Sequence, residues 1–255
     1  DENGNKTVQH LDEFGQKILE ERFLSPSQSL KTYYRYDDRG KVLEVNQPLY
    51  FNPPAGVNPD HCIIRYQYNT LGRMIRKTSR DDGETSFKYD NNGNLRFKRD
   101  ARQDSLNSFI YYKYDGLNRL LEEGVWSDEA VFSRPEYYED PTWPVNSVTC
   151  WKVRNYYDLD YINQGENYCI GKLTKSEINT DAQTEADIVS TYRYDKMGQL
   201  IEKRIRIKGL EEKSIQFSYD RQGNLIQTAY PSGTIIQRDY NKRNLLKKIR
   251  SSIVP

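Results

Sequence analysis

The chain has 255 residues, in which 38 lysines and arginines face 37 aspartates and glutamates. That balance argues against a nucleic-acid binder, which carries a basic excess, and no run of 18 apolar residues is present to span a membrane. The 21 tyrosines, 8 phenylalanines and 3 tryptophans are expected to supply much of the buried area in place of a modest aliphatic content.

The chain opens DENGN at Asp1, without a methionine and without a charged leader followed by an apolar stretch. A piece of a longer polypeptide is the expectation. One phrase then returns along its length. HLDEFGQKI at 10–18 is a weak copy, and YRYDDRGKV at 34–42 is the first full one, centred on Tyr36, Asp37 and Gly40. YQYNTLGRM at 66–74 brings Tyr68, Asn69 and Gly72, and FKYDNNGNL at 87–95 brings Tyr89, Asp90 and Gly93. YKYDGLNRL at 112–120 follows with Tyr114, Asp115 and Asn118. YRYDKMGQL at 192–200 carries Tyr194, Asp195 and Gly198, and FSYDRQGNL at 217–225 carries Tyr219, Asp220 and Gly223. RDYNKRNLL at 238–246 closes the series with Tyr240, Asn241 and Asn244.

The unit reads aromatic-x-Tyr-Asp-x-x-Gly-x-Leu, and its recurrence marks a repeat architecture. Aromatics two apart lie on one face of a strand. Aspartate three residues before glycine fits a type I turn, with the carboxylate holding backbone amides and the glycine in the left-handed conformation. Such a turn closes a bulged hairpin and starts a return strand. The exceptions respect this geometry: Asn118 and Asn244 replace glycine with the side chain that best tolerates positive φ. Asn69 and Asn241 replace aspartate with a side chain able to make the same turn bond. A hairpin cannot bury its aromatic face alone, so the units are expected to stack on their neighbours.

Two stretches break the rhythm. NQPLYFNPPAGVNPDHC at 46–62 holds four prolines and reads as an irregular loop. Residues 122–171 hold all three tryptophans and are expected to be one repeat-interrupting insertion, a lobe or a plug over a sheet edge. Within it Tyr157-Asp158 begins a unit whose glycine is delayed to Gly171. Helix signals are scarce, with one turn expected over DAQTEADI at 181–188.

The chemistry of sites is thinly represented. His10 and His61 are the only histidines, and His61 next to Cys62 on a strand would point away from it. Cys62, Cys150 and Cys169 form no C-x-x-C pair; free buried thiols are expected, with a Cys150–Cys169 bridge as the alternative. Asp158, Asp160 and Asn163 lack the alternation and glycine position of a calcium loop. No catalytic, cofactor or metal site is expected. The alternating charges of EKRIRIKGLEEK at 202–213 read as a solvated outer face, and Trp126, Trp143 and Trp151 are the side chains that would stack on a sugar if exposed.

The repeated phrase resembles the YD repeats of the Rhs family, found in Rhs toxins, shell components of insecticidal toxin complexes, bacterial wall-associated proteins and teneurins. The resemblance covers nearly the whole chain. It implies an all-β fold in which antiparallel hairpin repeats form a curved strip, part of a spiralling hollow shell, with 1–255 a single fragment of it. It implies a structural role, enclosing a toxin domain of the same polypeptide, and a secreted or cell-surface location. The partners implied are neighbouring repeats and that C-terminal toxin domain. The alternative is an extracellular adhesion module contacting carbohydrate or a cell-surface partner. Pro135 to Pro141 matches the first half of the family's autoproteolytic Pro-x-x-x-x-Asp-Pro-x-Gly-Leu, and Thr142-Trp143-Pro144 then departs from it, so a proline-bounded loop is expected at Asp140.

Overall fold

The computed structural model describes residues 6–25, 27–56, 58–145, 151–160, 167–180 and 185–253. The protein is all-β, with eighteen antiparallel strands among these residues. Contacts divide the chain into two compact units, residues 1–111 with 126–140, and 112–125 with 141–255.

In the first unit β1 (Thr7–Leu11), β2 (Lys17–Ser25), β3 (Gln28–Tyr36) and β4 (Val42–Asn46) run as consecutive antiparallel neighbours. They are followed by β5 (Ile63–Tyr68), β6 (Met74–Ser79), β7 (Gly83–Tyr89) and β8 (Leu95–Arg99). β8 pairs with β9 (Phe109–Tyr114). In the second unit β10 (Leu120–Trp126) pairs with β11 (Trp151–Tyr157), which leads to β12 (Leu173–Ile178) and β13 (Ile188–Tyr194). β14 (Leu200–Ile207), β15 (Lys213–Tyr219), β16 (Leu225–Ala229), β17 (Thr234–Tyr240) and β18 (Leu246–Ile253) complete the meander. Each repeated phrase ends one strand, makes a turn and begins the next. A short 3-10 turn, Pro59–Cys62, closes the proline-rich loop before β5.

Three short helices appear where few helix signals were expected. α1 (Ala101–Ser105) is nucleated by a reciprocal cap: Gln103 N donates to Asp100 Oδ1 at 2.8 Å and Asp100 N donates to Gln103 Oε1 at 3.0 Å. That Asp-x-x-Gln spacing was legible. α2 (Glu129–Ser133) is capped by Asp128, and α3 (Pro135–Tyr138) starts on a proline, whose missing N–H has no intrahelical partner at that position. Of the turn expected at 181–188, residues 181–184 lie outside the described residues, while 185–188 form no helix and Ile188 already begins β13. Asp187 accepts from Thr180 N at 2.7 Å and so ties the ends of the β12–β13 connection.

Residues 122–171 are corrected from one insertion to two excursions around paired strands. Glu122 faces Arg154 and Glu123 faces Val153, so β10 and β11 are neighbouring strands of the meander. The first excursion, 127–150, carries α2 and α3; the second, 159–170, lies inside the β11–β12 turn. The helical excursion covers a sheet face instead of an edge, because Phe132 and Tyr138 are large apolar groups with two rings to meet. Phe132 stacks over Phe97 at 6.3 Å between centroids and lies 5.4 Å from Phe109, and Tyr138 meets Phe97 edge-on at 5.9 Å. The Arg99 guanidinium sits 3.9 Å from the centre of the Phe132 ring. Phe97 is 0%, Phe109 1% and Phe132 3% exposed. Rings therefore form the core of this unit.

Phe132→Ala is expected to cost about 3–5 kcal/mol, the range for emptying a buried aromatic site. Urea denaturation followed by circular dichroism measures it, and a loss below about 1 kcal/mol would show that α2 is only loosely applied to the sheet.

Candidate functional site

The repeated turn is the recurring polar constellation of this chain. In the 37–40 turn, Asp37 Oδ1 accepts from Arg39 N at 2.9 Å and Lys41 N at 2.8 Å, while Asp37 N donates to Lys41 O at 2.8 Å and Gly40 N to Asp37 O at 3.0 Å. The pair of side-chain bonds recurs at Asp12, Asn69, Asp115, Asp195, Asp220 and Asn241. Asp90 instead accepts from Asn94 N at 2.8 Å and Asn94 Nδ2 at 3.0 Å. Asn69 and Asn241 make the same turn bonds through their amide oxygens. The left-handed position has φ from 57° at Asn244 to 93° at Gly93, with Asn118 at 61°. Hydrogen bonds from Asn224 to the Asp220 carboxylate, first its side chain and then its backbone, hold that carboxyl below its usual range.

Each turn is followed by a one-residue bulge. Tyr36 faces Val42 while Arg35 faces Glu44, so Leu43 is skipped. The same shift occurs at Tyr68, Tyr89, Tyr157, Tyr194, Tyr219 and Tyr240. The carbonyl beside the bulge is met from the next repeat. Tyr36 Oη donates to Lys17 O at 2.8 Å, Tyr68 Oη to Val42 O at 2.9 Å and Tyr89 Oη to Met74 O at 2.8 Å. In the second unit Tyr157 reaches Leu120 O at 3.1 Å, Tyr194 reaches Leu173 O at 2.8 Å, Tyr219 reaches Leu200 O at 2.9 Å and Tyr240 reaches Leu225 O at 3.2 Å. Tyr114 occupies the same position at the end of β9.

The acceptor is always the residue two beyond the left-handed position, which sequence reasoning valued only for its side chain. The hydroxyl was the missed functional group. Its signal was present: the second aromatic is tyrosine in eight of nine copies, whereas the first varies to Phe87, Asn155, Phe217 and Arg238. A purely hydrophobic requirement would accept phenylalanine at both.

A second link joins the turns themselves. The residue after the left-handed position reaches the following turn: Arg73 Nη1 donates to Asp90 O at 3.1 Å and Gln199 Nε2 to Gly223 O at 3.2 Å. Arg119 pairs with Asp115 at 2.6 Å and with Asp158 at 2.7 Å. Bonds from Arg119 and then Gly171 N hold the Asp158 carboxyl below its usual range. Gly171 N donates to Asp158 Oδ1 and Asp158 N to Lys172 O at 3.2 Å, so the turn closes across the 159–170 excursion. These reaching side chains add a second demand for glycine. A Cβ on Gly93 would lie 2.6 Å from Arg73 Nη2.

The remaining candidates are dispersed. His61 lies in the 3-10 turn instead of on a strand; it is exposed while Cys62 is buried, so the two do not meet as a dyad. His10 sits 3.6 Å from Glu21. Cys62 and Cys169 are buried free thiols, and Cys150 lies outside the described residues, as does Asn163. Among the described residues no group of three or more His, Cys, Asp or Glu is placed to hold a metal ion, and no helix is long and apolar enough to cross a membrane. Trp143 and Trp151 are buried, so neither offers a face to a sugar from the surface. The 202–213 stretch is also not wholly a solvated face: Glu202 is buried between Arg204 at 2.9 Å and Arg193 at 3.3 Å. Asp140 follows α3, and its carbonyl accepts from the buried Arg96 Nη1 at 2.8 Å.

No protein-family profile and no curated protein matches this chain. Among solved structures, the chain is similar to Tc toxin chains. One is the Tc holotoxin pore of Photorhabdus luminescens and another is TcdB2-TccC3 without its hypervariable C-terminal region. Each is 16% identical with a TM-score of 0.40, covering 97% of this chain and 14% of that one. This chain therefore spans about one seventh of those chains' length. A porin-like protein from Bacteroides uniformis is 9% identical with a TM-score of 0.32, covering 91% of this chain and 92% of that one.

Two outcomes follow from the hydroxyl links. Tyr194→Phe leaves the Leu173 carbonyl without its donor and is expected to cost about 1–3 kcal/mol, whereas Tyr192→Phe, on the first aromatic of the same hairpin, should cost under about 0.5 kcal/mol. Equal losses in urea melts would rule out the hydroxyl as the discriminating group. Burial also raises the phenols of Tyr68, Tyr89, Tyr157, Tyr194 and Tyr219, and pushes Tyr112 up to about 12. The folded state thus holds these protons more tightly than the unfolded chain, whose phenols ionise near pH 10. The associated stability is fully present below about pH 10 and is lost as pH rises through the folded values. A urea midpoint that stays flat from about pH 9 to pH 12 would contradict this.

Proposed function

We propose that this chain is a wall segment of a delivered Rhs-type β-shell that encloses a toxin domain of the same polypeptide. The observation that carries the reading is the hydroxyl link. Each hairpin leaves a backbone carbonyl beside its bulge for the next hairpin's tyrosine, so each unit is completed only by its neighbour. That is the chemistry of an extendable wall, with stability shared between repeats. The motif resemblance supports the same reading, as does the use of the recurring polar groups within turns and between them. On this reading the segment is structural and non-catalytic, its partners are the neighbouring repeats and the enclosed domain, and it is secreted. The carbohydrate-binding alternative draws less support, because Trp143 and Trp151 are interior.

The test uses the full polypeptide that contains this segment. Limited proteolysis in graded urea should spare the enclosed domain until the wall opens. The double variant Tyr194→Phe with Tyr219→Phe should lower the urea concentration at which cleavage begins. Cleavage of that domain in the absence of urea, as fast as when it is expressed alone, would refute enclosure.

A further inference from the structure

A cleft of about 400 Å³ in the first unit has β5, β6 and β7 on one side and the end of α3 on the other. Strand register places its floor. Gln67 pairs with Arg76 and Arg76 with Ser86, so these three side chains leave one face of the sheet. Lys88 stands two residues beyond Ser86 and opposite Phe97, on that same face. It is the face on which the helices lie: Lys88 Nζ is 5.5 Å from the centre of the Phe132 ring and 5.8 Å from that of Tyr138. Tyr138 and Glu139 supply the facing wall.

The cations of this cleft are short of counter-charge. Arg73, Arg76 and Lys88 line it against Asp90 and Glu139. Arg73 Nη1 is spent on the Asp90 carbonyl, and the buried Asp90 carboxylate accepts from Asn94. Arg76 meets Glu84 at 3.2 Å, while Asp104 and Glu129 are taken by Arg99. Lys88 is left over. Its Nζ makes no hydrogen bond and no ion pair among the described residues, yet it is not sealed from water, and the residue is partly exposed. Burial, then Arg99 and Arg76, push that ammonium below the usual lysine range. A cation so placed gains from an anion brought beside it. The Gln67 amide, exposed in the same floor and without a hydrogen bond among the described residues, is a further donor. The volume lies in the range of small-molecule sites.

We infer that this cleft binds a small oxyanion, a carboxylate or a phosphate, with its charge between Lys88 and Arg76 and one oxygen accepting from the Gln67 amide. The site lies within the first unit and does not depend on the shell reading.

The test follows the lysine Cε signals of the chain carrying ¹³C-lysine during titration with sodium phosphate and with sodium acetate, at neutral pH and constant ionic strength. The Lys88 signal, assigned by its loss in Lys88→Arg, should move with both anions. That of Lys98, on the opposite face of the same hairpin, should stay. Acetamide, which keeps the shape of acetate and lacks its charge, should move neither. By calorimetry Arg76→Gln should weaken phosphate binding about fivefold, the upper end for an exposed ion pair. Lys88→Met should weaken it further, and Lys88→Arg should retain it. Glu139→Gln removes a like charge from the rim and should strengthen it. If Lys88→Met does not fold, the exposed Arg76→Gln and Glu139→Gln changes carry the comparison. Tighter binding of phosphate than of acetate points to a phosphate monoester as the natural ligand, and the reverse to a carboxylate. An unmoved Lys88 signal, an equal movement of Lys98, or unchanged affinity in Arg76→Gln would overturn the site and leave Lys88 to water.

Discussion

A phenol hydroxyl meeting a backbone carbonyl is the interaction on which the rest of this structure depends. The repeats at Tyr36, Tyr68, Tyr89, Tyr157, Tyr194, Tyr219 and Tyr240 close with a turn that places a one-residue bulge on the return strand, and the bulge interrupts the ladder. A buried carbonyl left without a donor is expensive. Here the donor belongs to the following hairpin, as when Tyr68 reaches Val42 O and Tyr219 reaches Leu200 O. The defect in one hairpin thus becomes the attachment point of the next. Neither hairpin is complete without the other.

The turn residues make sense in this frame. Aspartate or asparagine holds two amides and fixes where the bulge falls. The left-handed residue then allows the return strand to start, and at Gly93 the absence of a Cβ also makes room for Arg73. Through such side chains the turns at Gly72, Asn118 and Gly198 are tied to their successors as well as their strands. The Arg119–Asp158 pair shows that this tie holds even where 39 residues separate the partners. Long excursions are therefore tolerated between and within repeats, because the backbone that must be in register is fixed on both sides of them.

The two units fill their interiors differently. In the first, α2 and α3 lay Phe132 and Tyr138 over Phe97 and Phe109. In the second, Trp151 is buried beneath Arg154, and Glu202 is buried between two arginines. Cations stacked on rings and paired with carboxylates let strands of such charge-rich composition bury residues at all. The acidic side chains of the repeat turns are engaged in the turns themselves and in links between them.

The sequence by itself determined the strand–turn–strand unit, the number of its copies, the left-handed position and its asparagine substitutes. Those features are local: aspartate, glycine and asparagine act through bonds to residues at most four away. It also held the preference for tyrosine at the second aromatic, whose meaning depended on knowing which carbonyl lay opposite. Only the tertiary structure decided that the hydroxyl of Tyr194 meets Leu173, that Gln199 spans to Gly223, and that 122–171 contains two paired strands with helices laid on a face. It alone showed Trp151 buried with an unmatched N–H. Each of these depends on partners some 20 to 40 residues distant, brought together by register, and register is set by the summed pairing of whole strands instead of by any short stretch of sequence.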